Sequence, residues 1–150
     1  MNNNILNPAL QNIQELEGNW KMQLSNASFL PDATTVIEGV ASFEWFDGGD
    51  FLVLRQGTKA EAPWATWLIG RDKDADNYTI LYIDDKHSSR VYEMSFKDGV
   101  WKIWRDAVGF SQRFEGKLSE DKNMISGAWE KSQDGKKWEH DFDLVYKRIV

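Results

Sequence analysis

The stretch GKKWEHDFDLVYKR, residues 135–148, decides the fold class because its apolar residues recur at every second position. One face of the pattern comprises Trp138, His140, Phe142, Leu144 and Tyr146, and the other face is mostly charged. Such alternation is typical of a β-strand with one buried and one solvated face. The pattern therefore predicts a half-buried strand and places His140 on the buried face.

The same period of two recurs in nine earlier segments. The predicted strands cover 19–24, 35–46, 50–57, 64–71, 78–84, 89–96, 100–106, 110–118, 124–131 and 137–148. Segments rich in Asp, Gly and Asn separate most of them, as at 47–50, 97–99, 119–123 and 132–136, and such segments form tight hairpin turns. Because no connection leaves room for a crossover helix, we expect an antiparallel, meandering sheet.

One segment near the N-terminus has the helical period instead. Asn7 can cap a helix that begins at Pro8 and ends near Leu16. Leu10, Ile13 and Leu16 then share one face. Ten hairpin-linked strands leave exposed edges unless the sheet closes. The sequence therefore predicts one all-β domain: an up-and-down antiparallel barrel of about ten strands, with the short N-terminal helix closing one end.

Several motifs carry a family resemblance. The motifs are WLIGRD (67–72), SRVYEMS (89–95), VWKIWR (100–105), FSQRFEG (110–116) and SQDGKKWEHDFDLVYKR (132–148). Together they resemble a bacterial calycin-like family that has no assigned biochemical function. The resemblance runs from about Leu16 to Ile149, and it extends in general form to lipocalin-like, fatty-acid-binding-like and nitrobindin-like barrels. It implies a calycin barrel and offers no established site to transfer.

Composition narrows the classes of function. The 150 residues include 24 Asp and Glu against 18 Lys and Arg, a net charge of −6, which argues against nucleic acid or an anionic membrane as partner. No cysteine is present, which excludes disulfides and thiolate sites. The N-terminal segment has neither the basic region nor the apolar run of a secretory signal, and no segment approaches the roughly 20 apolar residues of a membrane-spanning helix. We therefore expect a cytoplasmic protein.

Polar residues at predicted inward positions raise the question of a pocket. Alternation places Arg90 and Tyr92 inward on one strand, Arg105 on the next, and Gln112 on the one after. Polar groups inside a protein cost roughly 1–3 kcal/mol each unless they are paired. A buried arginine requires an anion or several acceptors. These residues therefore need either protein partners or a bound ligand.

Two interpretations of this interior stay open. In one, Arg90 and Arg105 lie near strand ends and reach solvent or an acid such as Asp84 or Asp106. In the other, a cavity holds a small, largely apolar ligand with a polar or anionic head, for which barrels of eight to ten strands are wide enough. In the binding hypothesis, Arg90 and Arg105 contact the anionic head. Its hydrogen-bond partners are Tyr92, Gln112 and His140. The wall residues are Trp67, Trp101 and Phe114.

Three alternatives accompany the binding hypothesis. The resemblance to nitrobindin-like barrels, in which a late-strand histidine binds haem, makes His140 a candidate haem ligand, and haem is the one cofactor considered. Catalysis on a bound lipid is a second alternative, although no residue is singled out as catalytic. The third is a packed module without a ligand. Trp104, predicted to point outward, leaves homodimerisation open.

Overall fold

The computed structural model describes residues 7–32, 34–46, 48–59 and 62–149, and in this part of the chain one helix precedes ten strands. Positions outside these ranges include the first six residues of the N-terminal segment and Asp47 of the predicted 47–50 turn. The helix is a 3-10 helix over Pro8–Leu16. The strands are β1 (Gly18–Ser25), β2 (Ile37–Phe46), β3 (Phe51–Lys59), β4 (Ala62–Gly70), β5 (Tyr78–Asp84), β6 (Ser89–Lys97), β7 (Val100–Arg105), β8 (Ser111–Leu118), β9 (Met124–Ser132) and β10 (Glu139–Arg148).

The ten strands form one closed antiparallel barrel. Each strand pairs with its neighbours in the chain, and the first strand pairs with the last from Trp20 opposite Arg148 to Ser25 opposite Asp143. This closure removes the two free edges that an open ten-stranded sheet would expose. The predicted fold class, an up-and-down barrel with a short N-terminal helix, is confirmed. The predicted strand limits differ from the observed ones by at most two residues.

The N-terminal helix closes the end of the barrel at which β10 ends. Leu10, Ile13 and Leu16 are fully buried against the barrel core. The Asn7 side chain caps the helix by accepting a hydrogen bond of 3.0 Å from the backbone N–H of Ala9, as expected for an Asn before a proline-initiated helix. No helix of the described residues has the length and apolar character to cross a membrane.

Arg148 fastens the other end of this helix. Its guanidinium donates to the backbone carbonyls of Glu15 and Glu17, each at 2.7 Å. The same group donates to the carbonyl of Lys122 at 3.0–3.1 Å and lies 4.1 Å above the Trp20 ring. One side chain of the last strand therefore joins the helix, a hairpin turn and the first strand.

A β-bulge interrupts β10 and reverses part of the predicted facing. His140 pairs with Glu130 and Phe142 pairs with Trp129, which leaves Asp141 as an extra residue. An extra residue shifts the two-residue alternation by one on its N-terminal side. The strand beyond the bulge keeps its predicted facing, but His140 lies on the outer surface with 46% of its side chain exposed. The prediction that His140 points inward is therefore wrong.

Candidate functional site

The candidate site is a pocket of about 240 Å³ inside the barrel. It lies towards the end opposite the helix, because Trp64, Tyr82 and Arg90 line it and belong to the strand ends where β4 and β6 begin and β5 ends. We call this the open end. The aromatic residues of the lining are Trp64, Trp67, Tyr82, Tyr92, Trp101, Phe114, Trp129, Phe142 and Tyr146, and the polar ones are Gln56, Arg90 and Gln112. The interior of the barrel is therefore not completely filled by side chains.

A block of four rings separates the pocket from the helix. These residues, here called the aromatic floor, are Trp20, Phe43, Trp101 and Tyr146. All four are at most 2% exposed, and adjacent ring centroids are 5.8–6.5 Å apart in edge-on or tilted contacts. Such spacing is typical of close-packed aromatic pairs. The floor therefore lies between the helix and the pocket and limits the depth of the pocket.

The walls of the pocket carry broad aromatic faces. The ring centroids of Trp67 and Tyr92 are 5.3 Å apart, and those of Phe114 and Trp129 are 5.4 Å apart. Trp67 and Trp129 approach to 6.1 Å, and the planes in these three pairs are inclined by only 34–40°. The walls therefore present tilted flat surfaces.

Two paired glycines explain the position of the Phe114 ring. Gly116 on β8 lies opposite Gly127 on β9. A Cβ atom on either glycine would come within 2.7 Å of the Phe114 ring, a separation that packed atoms do not tolerate. The absence of two side chains thus makes room for a wall residue that the sequence predicts.

Gln56 connects one wall of the pocket with the floor. Its side-chain carbonyl accepts a hydrogen bond of 2.8 Å from the indole N–H of Trp67. Its amide group donates to the Tyr146 hydroxyl at 2.5 Å and towards the Met22 sulfur at 3.6 Å. The polar atoms of Gln56 therefore have protein partners, and they hold the two rings in place.

Two further polar residues of the lining, Tyr92 and Gln112, bind each other. The Tyr92 hydroxyl donates to the side-chain carbonyl of Gln112 at 2.7 Å in a buried hydrogen bond. The Arg90 guanidinium lies 5.9 Å from the Tyr82 ring centroid and 5.4 Å from that of Phe110, within the range of cation–π contacts. None of the salt bridges between described residues includes Arg90.

Asp84, close to this group, is held by other donors. It accepts hydrogen bonds from the Tyr82 hydroxyl at 2.9 Å and from the backbone N–H groups of Lys86 and Ser88 at 3.0 and 2.9 Å. Burial acts to raise the pKa of Asp84, but these hydrogen bonds and the charge of Arg90 outweigh it, so the pKa lies below its usual value. Asp84 is therefore a carboxylate at neutral pH with several donors already bound.

The pocket tyrosines keep their protons. Burial raises the pKa of Tyr82, and its hydrogen bond to Asp84 raises it further. Burial also raises the pKa of Tyr92, against the opposing charge of Arg90, and that of Tyr146. These hydroxyl groups can donate hydrogen bonds at neutral pH and do not act as phenolate bases.

The structure brings together most of the predicted site residues. Six of the eight line the pocket, namely Trp67, Arg90, Tyr92, Trp101, Gln112 and Phe114. Arg105 lies beside the pocket but outside its lining, because its guanidinium donates to the backbone carbonyl of Phe110 at 3.0 Å and so braces the β7–β8 loop. The sequence predicts that Arg105 contacts the ligand, but in the structure it does not line the pocket.

His140 is the other predicted residue that lies outside the pocket. Its imidazole is 2.8 Å from the Asp143 carboxylate on the outer surface. The haem alternative assigns ligation to an inward His140, and the described lining contains no histidine. Groups of three or more His, Cys, Asp or Glu with metal-binding geometry are likewise absent among the described residues.

Some pocket residues escape sequence reasoning. Gln56 lies on β3, whose sequence FLVLRQ has apolar residues at both alternating sets, so the inward set is ambiguous. Tyr82 lies on β5, where YTILYID presents the same ambiguity. Trp129 lies in the same alternating set as Ile125 on β9, opposite the set that contains Ser126 and Glu130, and this pattern indicates an inward residue. The glycines at 116 and 127, which pair across β8 and β9, are a further sequence feature that indicates space for a large inward ring.

Comparison with known proteins supports the fold and adds no function. No protein-family model and no curated protein matches the sequence. The chain is similar to a solved structure titled "Crystal Structure of Rv2717c from M. tuberculosis", at 16% sequence identity and a TM-score of 0.64. The match covers 96% of this chain and 99% of that chain. At this identity the similarity concerns the barrel fold alone.

Proposed function

We propose that this chain is a binding protein for a small, largely apolar ligand that carries a polar or anionic head. The observation that carries the proposal is the make-up of the pocket: a hollow of about 240 Å³ lined mainly by aromatic side chains, with Arg90 and Gln112 towards the open end. Small-molecule sites are typically apolar concavities with a few placed polar groups. Burial of apolar ligand surface contributes about 25 cal/mol per Å², and a guanidinium fork pairs well with an anionic head.

Two finer assignments belong to this proposal. The closed ten-strand barrel and the end helix support a place among the calycin-like barrels. A cytoplasmic location stays a prediction from composition.

Thermal unfolding in the presence of probe acids tests the proposal. Octanoate and 2-naphthoate are suitable probes, because each combines a carboxylate with an apolar body. A ligand that binds only the folded state stabilises it by about 2.7 kcal/mol at a free concentration 100 times Kd. We expect at least one probe to raise the Tm and to quench tryptophan fluorescence, since Trp67 and Trp129 line the pocket.

Two variants locate the binding. Ala65 lines the pocket and is almost fully buried, so Ala65→Phe should fill the hollow and remove the probe-induced rise in Tm. Arg90→Gln should weaken the binding of both acids. Arg113→Gln is the matched control, because Arg113 lies on the outer surface in contact with Glu130. A Tm unchanged by both probes, or equal effects of the two arginine variants, contradicts the proposal.

A further inference from the structure

We infer that the ligand is a small planar aromatic acid, with its ring against the aromatic walls of the pocket and its carboxylate against Arg90 and Gln112, and that the pocket does not enclose long acyl chains. This inference rests on the proposed function and specifies its ligand class. Three independent features carry it: the size of the hollow, the shape of its walls and the surplus of hydrogen-bond donors.

The size of the hollow limits how much of a ligand the barrel can enclose. A dry protein cavity of about 150 Å³ holds one benzene molecule, whereas sites for drug-sized ligands span about 300–1,000 Å³. The pocket of about 240 Å³ lies between these values, so one or two fused rings with a short polar substituent match it. A long chain would have to extend along the barrel axis, where Trp20 and Phe43 of the aromatic floor are fully buried.

The walls favour a flat ligand over a flexible one. Three of the four ring contacts among Trp67, Tyr92, Phe114 and Trp129 are tilted by 34–40°, and the fourth, between Tyr92 and Trp129, is edge-on at 71°. The walls therefore offer both ring faces and ring edges to a flat aromatic ligand. Aromatic contacts between a ligand ring and these walls stabilise the complex beyond the burial of apolar area. A saturated ligand of equal size gains the burial but not these contacts, and an alkyl chain also loses conformational freedom on binding.

Hydrogen-bond accounting identifies the head of the ligand. Gln56 is fully engaged by Trp67 and Tyr146, and the carbonyl of Gln112 accepts from Tyr92. Among the described residues of the lining, several donors have no protein acceptor: the amide N–H groups of Gln112, the N–H groups of Arg90 and the buried indole N–H of Trp101. A carboxylate has only acceptor sites, about four of them, and therefore complements this set.

The position of Arg90 fits a head at the open end. The Tyr82 and Phe110 rings lie within cation–π distance of its guanidinium. Asp84 binds the Tyr82 hydroxyl and two backbone N–H groups instead of forming a close ion pair with Arg90. The guanidinium edge thus stays available for an anion that enters from the open end.

Calorimetric titration with four matched probes tests the inference. The probes are 2-naphthoate, its fully saturated analogue trans-decahydro-2-naphthoate, the neutral 2-naphthamide and palmitate. We expect 2-naphthoate to bind at least tenfold more tightly than the saturated acid and than the amide, and palmitate to give no pocket binding. In Arg90→Gln the preference for acid over amide should disappear, whereas in Arg113→Gln it should persist.

The outcomes separate this inference from the proposed function. If the saturated acid or palmitate binds as tightly as 2-naphthoate, and Ala65→Phe blocks that binding, the aromatic-acid inference is overturned while the binding function stands. If the amide equals the acid in the unmodified protein, the role of the carboxylate is overturned. If none of the four probes binds but octanoate raises the Tm, the aromatic-acid inference alone is overturned. If octanoate also leaves the Tm unchanged, both proposals are overturned.

Discussion

Gln56 shows how one side chain determines the interior of this barrel. It accepts a hydrogen bond from the Trp67 indole and donates one to the Tyr146 hydroxyl. Removal of the Gln56 amide therefore leaves the indole N–H and the hydroxyl without these hydrogen bonds. An unpaired buried donor or acceptor costs about 1–3 kcal/mol. We therefore expect Gln56→Leu to lower the free energy of unfolding by about 1–3 kcal/mol in urea titrations.

Gln23→Leu serves as the control for this prediction. Gln23 lies on the outer surface, where it donates to Glu38 at 3.2 Å in an exposed hydrogen bond, and such surface changes usually stay within about 0.5 kcal/mol. Equal destabilisation by the two substitutions would show that the buried network contributes nothing specific.

The facing of individual residues is predictable where the two sides of a strand differ in chemistry. On β6 and β8 the sets that contain Tyr92 and Phe114 are clearly drier than their alternates, and both residues line the pocket as expected. On β3 the set with Leu52 and Leu54 competes with Phe51 and Val53. Both sets are apolar, so the periodicity contains no information about which side holds Gln56.

At the scale of the element, the bulge in β10 marks the limit of pattern reasoning. A plain strand over 138–146 would bring His140 inside, and the alternation in the sequence supports that expectation. The inserted residue is stabilised from outside the strand: the backbone carbonyl of Asp141 accepts from the N–H of Ser28 at 2.7 Å, and its carboxylate accepts from the Ser28 hydroxyl at 2.9 Å. A contact 113 residues distant in sequence leaves no local signal.

The attachment of the N-terminal helix depends on Arg148. Because its guanidinium donates to carbonyls in the helix and in the β8–β9 turn, Arg148→Ala should lower the free energy of unfolding by about 1–3 kcal/mol. Arg148→Lys should recover less than half of this, since an ammonium group lacks the planar fork that reaches several acceptors. Hydrogen exchange of a peptide covering residues 8–16 should accelerate in both variants.

Lys147→Ala is the matched control for Arg148. Lys147 is an exposed cation one residue earlier on β10, so its removal changes the net charge equally without loosening the helix. If Arg148→Ala left the exchange of the helix peptide as slow as in Lys147→Ala, the helix would be held by its buried leucines and isoleucine alone.

At the scale of the molecule, closure of the barrel could be inferred before any contact was known. Ten strands linked by tight hairpins expose two sheet edges unless the sheet closes. The observed pairing of β1 with β10 closes it. The hollow follows less directly, because cavity volume depends on how the rings of opposite strands meet. The sequence does not predict that the rings of Trp67 and Trp129 are tilted against each other with centroids 6.1 Å apart.

Closure also predicts that the barrel unfolds as one unit. Lys21 lies in β1 between Val40 of β2 and Lys147 of β10. Lys21→Pro removes a ladder hydrogen bond from a central strand and leaves its acceptor unpaired, at a cost of about 1–3 kcal/mol. The tryptophans span the barrel, at positions 20, 45, 64, 67, 101, 104, 129 and 138. Because loss of the β1 ladder opens the whole sheet, tryptophan fluorescence and far-UV circular dichroism should show one coincident, shifted urea midpoint. Lys21→Ala, which keeps the N–H, should leave the midpoint nearly unchanged, and separate midpoints for the two signals in Lys21→Pro would mean that the barrel is not a single cooperative structure.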